Sequence, residues 1–526
     1  MAKDTSVESR FMADDGARQG ILEEKRQLAA LTWAQYLPPK DYKADDSLPK
    51  PFTAKGRQLT IGLAGQIHSL IFQAGLPFFM RRASAAIRYL SEENVELIEA
   101  FEDRLAAEDL HLQSLLETAG QNDPNPIGFY QKMAEVTLCL CILGDAQLRL
   151  NDDYTITRFR LDNYVRCNDD SGRVRYVIVR ECIDVATLSP DKFEASGLKA
   201  EILDQSCKDR ERDLYTLCEY DHKTKKWKYT QEINQHVIHE ETRSVPHIFG
   251  VSLNLATPEN YGRGYADQIG PDLITVNGLR QAAVKYAAAA SQILWVVGKG
   301  SQLRAEDLMK RSGTVVEGGH VAGGVVQDVA PLRFEKLADF KIVEEVMASV
   351  IQEINESALF GNVRESERTT AFEVDKVYLQ RQEQAIGHYA APIADSLQTQ
   401  LLKALIDTAT RNKHHVPAKL KDGRDGYDIS ILTGLRALQE RAKASRLLTI
   451  AQVAQQLGPE AVQYLKADKL FEMIMRLQAI REPGMIRSDA EVQAIKTQSE
   501  LATKAVDVAG NVAEAAGIAA VTPQQA

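Results

Sequence analysis

Gly361-Asn-Val-Arg-Glu-Ser-Glu-Arg-Thr-Thr370 is the break around which the chain reads. Before it, Leu337, Phe340, Val343, Met347, Val350 and Ile354 fall on one helical stripe, and Lys341, Glu345, Gln352 and Glu356 on another. That pattern predicts an amphipathic helix with a mostly acidic outer face. After it, Thr370-Ala-Phe-Glu373 has the form of a capping box, in which hydroxyl and carboxylate each satisfy an orphan backbone amide. A long helix starts there and contains Gly387 and Pro392. A proline inside a helix removes one hydrogen bond and clashes with the preceding turn, so a kink is expected near 387–392. The loop carries Arg364, Glu365, Glu367 and Arg368. Its make-up suits a solvated helix connection or a surface that touches a passing polyanion. Neither resembles an active site, and a charged loop held between two helices suits a mechanical part.

Upstream lies a second helix, 271–292, with Pro271 expected at its first position and small residues, Tyr286-Ala-Ala-Ala-Ala290, at its end. Between the two helices the sequence predicts a compact α/β insert. Ile293-Leu-Trp-Val-Val297 reads as a strand, Ala305–Arg311 as a short helix, and Thr314-Val-Val316 and Val325-Val326 as further strands among glycines. Residues 153–250 change period. Tyr154–Leu161 and Val174–Arg180 alternate with period two around the turn residues Asn168–Gly172, and Asp213–Tyr220 and Lys226–Thr230 form a second hairpin candidate across Asp221–Thr224. Residues 53–150 read as mostly helical, with Leu59, Leu63, Ile67, Leu70 and Ile71 at helical spacing. A helical segment from Ile21 through Tyr36 is stopped by Pro38-Pro39. Short helices are expected over 430–481, and Ser488–Ala526 reads as a weakly helical tail. The fold class is mixed α+β, mainly helical.

The 526 residues suggest about three or four domains or subdomains. No stretch approaches the roughly 20 apolar residues of a membrane helix, and the first residues lack a signal-peptide core. Synthesis and folding in a cytoplasm are expected. Six cysteines include no CxxC pair, and Cys139 and Cys141 sit in an apolar run where thiols serve as small core residues. The net charge is −10 with acid and base interspersed, which argues against tight static binding to DNA but not against transient contact.

Enzyme patterns fail on inspection. Gly318-Gly-His-Val-Ala-Gly323 is followed by no Lys-Ser/Thr pair, so it is no P-loop. His239-Glu-Glu-Thr-Arg243 lacks the second histidine of a zincin helix, and His414-His415 reads as a favourable pair at a helix C-terminus. No cofactor, metal site or catalytic residue is expected.

Asn260-Tyr-Gly-Arg-Gly-Tyr265, then helix, β-rich insert, helix, the Glu367-Arg-Thr-Thr-Ala371 break and the kinked helix, together resemble the portal (head-to-tail connector) proteins of T7-like short-tailed bacteriophages. Trp33-Ala-Gln-Tyr-Leu-Pro-Pro39, Leu59 to Phe79, Leu432-Thr-Gly-Leu-Arg-Ala437 and Pro483-Gly-Met-Ile-Arg487 resemble further family segments in the same order. The resemblance covers nearly the whole chain and departs from the family in individual side chains of the loop and insert. It implies a phage portal fold assembled as a ring. N-terminal helices and a β-rich wing would span 1–265, the first stem helix 266–292, a clip 293–336 and the second stem helix 337–360. A tunnel loop at 361–370, a long kinked wing helix at 371–412, a crown at 413–487 and a flexible tail at 488–526 would complete the chain.

The resemblance further implies a homododecamer at one capsid vertex, the channel for DNA packaging and ejection. Its partners would be double-stranded DNA, the terminase motor, scaffolding and major capsid proteins, and tail adaptor and nozzle proteins. It would sit in the virion, and in the host cytoplasm during assembly. The tunnel-loop residues Arg364, Glu365, Glu367 and Arg368 would face DNA, with Glu345, Glu353 and Glu356 on a channel-facing stem. Trp295, Lys299, Arg304, Lys310 and Arg311 would lie on the partner-binding clip. A helical scaffold or adaptor without a DNA channel is the alternative reading, and ring formation separates the two.

Overall fold

The computed structural model describes residues 6–43, 45–72, 78–84, 87, 95–124, 126–290, 295–297, 321–322, 325–326, 329–331, 337–357, 389, 392–414, 426–431, 447 and 449–450. For 95–97, 99, 289–290, the short strands between 295 and 331, 337–340, 356–357 and 430 the backbone alone is described.

The described elements run in order α1 (Val7–Ala17), α2 (Gln19–Leu31), a 3-10 turn (Ala34–Tyr36), α3 (Lys55–Ile71), β1 (Phe79–Ala83), α4 (Val95–Thr118) and α5 (Phe129–Leu143). Next come β2 (Asp145–Leu150), β3 (Ile156–Phe159), β4 (Tyr164–Asn168), β5 (Val174–Asp184), α6 (Pro190–Ala195), β6 (Glu211–Asp221), β7 (Lys226–Ile233), β8 (His236–Arg243) and β9 (Ile248–Ser252). The long helix α7 (Tyr265–Ala290) leads to β10 (Trp295–Val297), β11 (Val321–Ala322), β12 (Val325–Val326) and β13 (Val329–Pro331). Then follow α8 (Leu337–Ser357), a π-helical turn (Ile393–Gln398), α9 (Thr399–Arg411) and β14 (Tyr427–Ile431). Helices and sheets both contribute, as the α+β reading expects.

The chain divides into two units. One takes Met1–Phe79, Leu112–Pro417 and Thr433–Leu435; the other takes Met80–His111, Ala418–Leu432 and Arg436–Ala526.

In the first unit β4 to β8 form a five-stranded antiparallel meander, and β3-β2-β9 form a second sheet. Alternation gives the meander two apolar faces. Val165, Ile178, Tyr215 and Leu217 lie under Val7 and Phe11 of α1. Tyr164, Val177, Val179, Cys218 and Tyr229 face the main core, with Leu22 and Ala29 of α2, Cys139, Ile142 and Leu143 of α5, and Phe159 and Leu161. Helix α1 is held at its start: Ser6 caps the Ser9 amide, and buried Glu232 of β7 accepts the Val7 and Glu8 amides at 2.8 and 3.1 Å. A carboxylate there also meets the positive end of the helix dipole. The core thiols behave as small apolar groups. Burial pushes Cys139 and Cys141 upward and Cys218 to about 12, so all three stay protonated.

In the second unit β1 pairs with β14. Arg81, fully buried, binds Asp109 through its side chain and its own amide and reaches Glu108 at 3.2 Å. Its guanidinium lies over the Tyr427 ring, 5.0 Å from the centroid.

Several sequence expectations are corrected. The turn at 169–172 is present, but β4, not Tyr154–Leu161, is its first arm; β3 pairs instead with β2. A 3-10 turn at Leu161–Asn163 redirects the chain between them. β2 itself falls in a stretch expected to be helical, because the helix ends at Gly144 in the left-handed region (φ 75°). Pro271 is not at a first helical position but one and a half turns inside α7, which begins at Tyr265. Tyr265, Ala266 and Ile269 are buried there, and packing overrides the missing amide. The kink expected near 387–392 lies largely outside the described residues; a π-helical turn follows directly after Pro392. The second hairpin is as expected, β6 with β7, and the expected strands at 293–297 and 325–326 occur as β10, paired with β13, and β12, paired with β11. The predicted helix at 305–311, strand at 314–316, capping box at 370–373, most of the helices over 430–481 and the tail lie outside the described residues. Among the described residues no helix is long and apolar enough to cross a membrane.

Candidate functional site

Asn260–Tyr265, the segment that leads into α7, runs through the centre of the first unit. Asp145, the first residue of β2, is buried and accepts four donors. They are the Tyr164 hydroxyl at 2.6 Å, the Ser252 hydroxyl at 2.7 Å, the Gly262 amide at 3.1 Å and the Arg166 guanidinium. Arg166 also donates from Nε to the Asn260 carbonyl at 3.0 Å, and its amide donates to the Tyr261 hydroxyl at 3.2 Å. Burial, and then the Asp145 charge beside it, hold the Tyr164 hydroxyl far above the usual range, so it is a donor at every physiological pH. The backbone crossing needs glycine. A Cβ on Gly144 would lie 2.3 Å from the Arg263 carbonyl carbon, and one on Gly262 2.3 Å from the Leu253 oxygen.

The same segment ties α2 to α7. Lys25 of α2, buried, donates to both oxygens of Asp267 at 2.6 Å and to the Gly262 carbonyl at 3.3 Å. Asp267 in turn accepts the Gly264 amide at 2.6 Å, covering the start of α7. At Gly270 a Cβ would meet Leu28 at 2.6 Å, so the small residue lets the two helices close. The result is a rigid mount for one end of a 26-residue helix.

Helix α7 packs on α8. Beyond the mount these helices are thinly covered. Ile274 and Val284 of α7 and Ile342 and Val346 of α8 are about half exposed, and within 341–355 of α8 only Ile354 is buried. Glu345 and Glu353 are both exposed. At about 100° per residue Glu345 points opposite to Ile354, whereas Glu353 lies on the flank that carries Ile342 and Val346. Glu356 lies in α8 and Trp295 in β10, with their side chains outside the described residues. Arg364, Glu365, Glu367, Arg368, Lys299, Arg304, Lys310 and Arg311 lie outside the described residues altogether. His239 is in a β-strand, which removes any zincin-helix reading, and His414 is engaged by the Tyr154 hydroxyl at 2.8 Å. Among the described residues no group of three or more His, Cys, Asp or Glu is placed to hold a metal ion.

A long helix pair is thus mounted on a β-rich body, with short strands lying between the two helices in sequence. The profile for bacteriophage head to tail connecting protein matches residues 7–485. The chain belongs to that family. Among curated relatives, the portal protein of Pseudomonas phage phiKMV is 24% identical over 91% of this chain and 91% of its own length. The portal protein of Escherichia phage T7 is 24% identical over 83% of this chain and 82% of its own. Among solved structures, a chain from the virion of a native gene transfer agent particle aligns with TM-score 0.37 and 9% identity, over 79% of this chain and 89% of that one. At that score the likeness is slight.

Sequence reading singled out Asn260–Tyr265 as a segment but missed Asp145, Arg166 and the Lys25–Asp267 pair that make the connector's joint. A charged residue directly after a long apolar run, as in Ile142-Leu-Gly-Asp145, is the signal that was available.

Proposed function

We propose that this head-tail connector acts as a phage portal protein: twelve copies form a ring at one capsid vertex, DNA passes through it during packaging and ejection, and terminase and then tail proteins dock on it. The observation that carries the reading is the set of half-exposed apolar side chains on α7 and α8, Ile274, Val284, Ile342 and Val346, which stand in water in a single chain. Neighbouring copies in a ring would cover such side chains, removing apolar surface at roughly 25 cal/mol per Å². Family membership and the names of the relatives support the same assignment. In this reading α7 and α8 are the stem, 293–336 the clip, 361–370 the tunnel loop, 371–412 the long wing helix and 413–487 the crown.

The chemistry suits passage without adhesion. A protein that neutralises many phosphates binds DNA tightly and with a steep salt dependence. Twelve chains at −10 each give a ring charge on the order of −120 before screening. Glu345, opposite the packed face of α8, would repel phosphate and centre the duplex. Glu353, on the apolar flank, is placed to meet a neighbouring copy instead. Arg364 and Arg368 supply sparse, reversible contacts. The structural and virion role assigns no reaction to this chain, and hydrolysis of nucleotide would belong to the motor.

Negative-stain imaging of the purified chain tests the reading. Closed rings with a central hole are expected; monomers or solid particles would favour the scaffold or adaptor alternative.

A further inference from the structure

The second face of the meander is apolar at β4 and β5 but becomes polar toward β8. Between that polar end and the tip of β2 lies a cleft of about 340 Å³. It is built on Arg149 of β2, Thr216 of β6, Tyr229 of β7, Arg243 of β8 and His247. We propose that this cleft binds a small oxyanion, a phosphate or a carboxylate, on the free edge of the Arg243 guanidinium.

Arg243 and Thr216 are both more than nine-tenths buried. Among the described residues Arg243 Nη1, Thr216 Oγ1 and His247 Nδ1 have no hydrogen-bond partner, and all three belong to residues lining this cleft. The other side of the guanidinium is engaged: Nη2 donates to Glu241 at 3.0 Å and stands 3.6 Å from Asp152. Leaving a charged buried donor unmade is costly, and such groups in native proteins have partners.

The unpartnered guanidinium nitrogen selects the ligand, because it can only donate and so needs an acceptor. Arg149 is bound by Glu181, and Arg411 bridges Asp152 at 3.4 Å and Glu241 at 3.2 Å. Among the described residues Lys192, on the cleft wall, donates to the neutral Gln231 at 3.3 Å. The cleft wall thus carries three cations, Arg149, Lys192 and Arg243, and three carboxylates, Asp152, Glu181 and Glu241, and the carboxylates are already engaged by Arg149, Arg411 and the Nη2 side of Arg243. The histidine in the cleft registers the same field: burial first, then Arg243, Arg149 and Arg411, push His247 down to about 2. It is therefore neutral and can present Nδ1 either as donor or as acceptor. An anion with two or more acceptor oxygens would supply the acceptors that Nη1 and the Thr216 hydroxyl lack. The cleft has room for one phosphate and several waters, each water taking ~30 Å³. This inference is independent of ring formation.

The test is thermal unfolding of the full-length chain titrated with inorganic phosphate, and separately with acetate, against sodium chloride at equal ionic strength. A saturable rise of the midpoint over chloride is expected. Arg243→Lys keeps the charge but loses the fork, and should raise the half-saturating concentration by about tenfold or more, the equivalent of one charge-assisted hydrogen bond. Thr216→Val keeps the shape, removes one donor, and should raise it about threefold. A rise with phosphate alone identifies phosphate; a rise with acetate alone identifies a carboxylate, as a protein side chain would supply. If neither anion differs from chloride, water fills the cleft and the proposal fails. It fails equally if the rise is linear and shared by both variants, because excluded anions stabilise any folded protein in that way. Ring images of the same samples report separately on the portal reading.

Discussion

Asp145 shows how one residue governs the joint of this protein. Its carboxylate is the only charge set against Arg166 in that hub among the described residues, and both are buried. Asp145→Asn keeps the shape but leaves a buried cation uncompensated, which costs about 3–5 kcal/mol. Urea unfolding should show that loss, and hydrogen exchange should show it concentrated at Asn260–Tyr265. Arg263→Ala, which removes the exposed pair with Glu259, should cost less than about 1 kcal/mol. Equal losses in the two variants would refute the hub. His247 gives a pH signature. Its folded pKa, about 2, lies below the unfolded value of 6.5, so between those limits the unfolded chain holds a proton that the native chain refuses. Its contribution is complete above pH 6.5 and is lost as pH falls, by up to about 2 kcal/mol at pH 5. The groups around it are Arg149, Arg243 and Arg411, with Glu181, Glu241 and Asp152 as their counter-charges and the Tyr229 hydroxyl on its backbone amide. His247→Gln should flatten the dependence of stability on pH from 5 to 7. A variant with the wild-type slope would show that another group titrates.

At the scale of elements, α7 and α8 are the parts whose surfaces do not suit a lone chain. Ile342→Asp and Val346→Asp change half-exposed positions, so each should alter the stability of the single chain by no more than about 0.5 kcal/mol. Each should nevertheless prevent ring closure, because a charge would be buried between copies. Sedimentation velocity distinguishes ring from monomer; rings of normal size would place the interface elsewhere. The hairpin β6–β7 was legible because alternation and the Asp221–Thr224 turn agree. Strand β2 was not, because Cys141-Ile-Leu-Gly-Asp-Ala-Gln-Leu-Arg-Leu150 carries apolar residues that suit a helix or a buried strand equally. What separates them is the left-handed Gly144, and its necessity comes from the Gly262–Gly264 backbone crossing it, more than a hundred residues away in sequence. The same holds for Pro271, whose cost inside a helix is offset by Tyr265, Ala266 and Ile269 packing below it.

At the scale of the whole molecule, the proposed ring makes a prediction about the loop. Arg364→Ala with Arg368→Ala should leave ring assembly intact and alter DNA packaging or retention in infected cells. Packaged length measured by gel and infectivity by plaque count both report it; normal values of both would sink the channel role of these arginines. The order of helix, short strands and helix, the mixed α+β class and the family were all readable in the sequence, because they rest on periodicity, turn chemistry and motif order along the chain. The Asp145 hub, the Lys25 tie to α7 and the Arg243 cleft were decided by tertiary structure alone. Each depends on which residues distant in sequence share a low-dielectric space, and it is burial together with partners that turns an ordinary Asp, Lys or Arg into a structural charge.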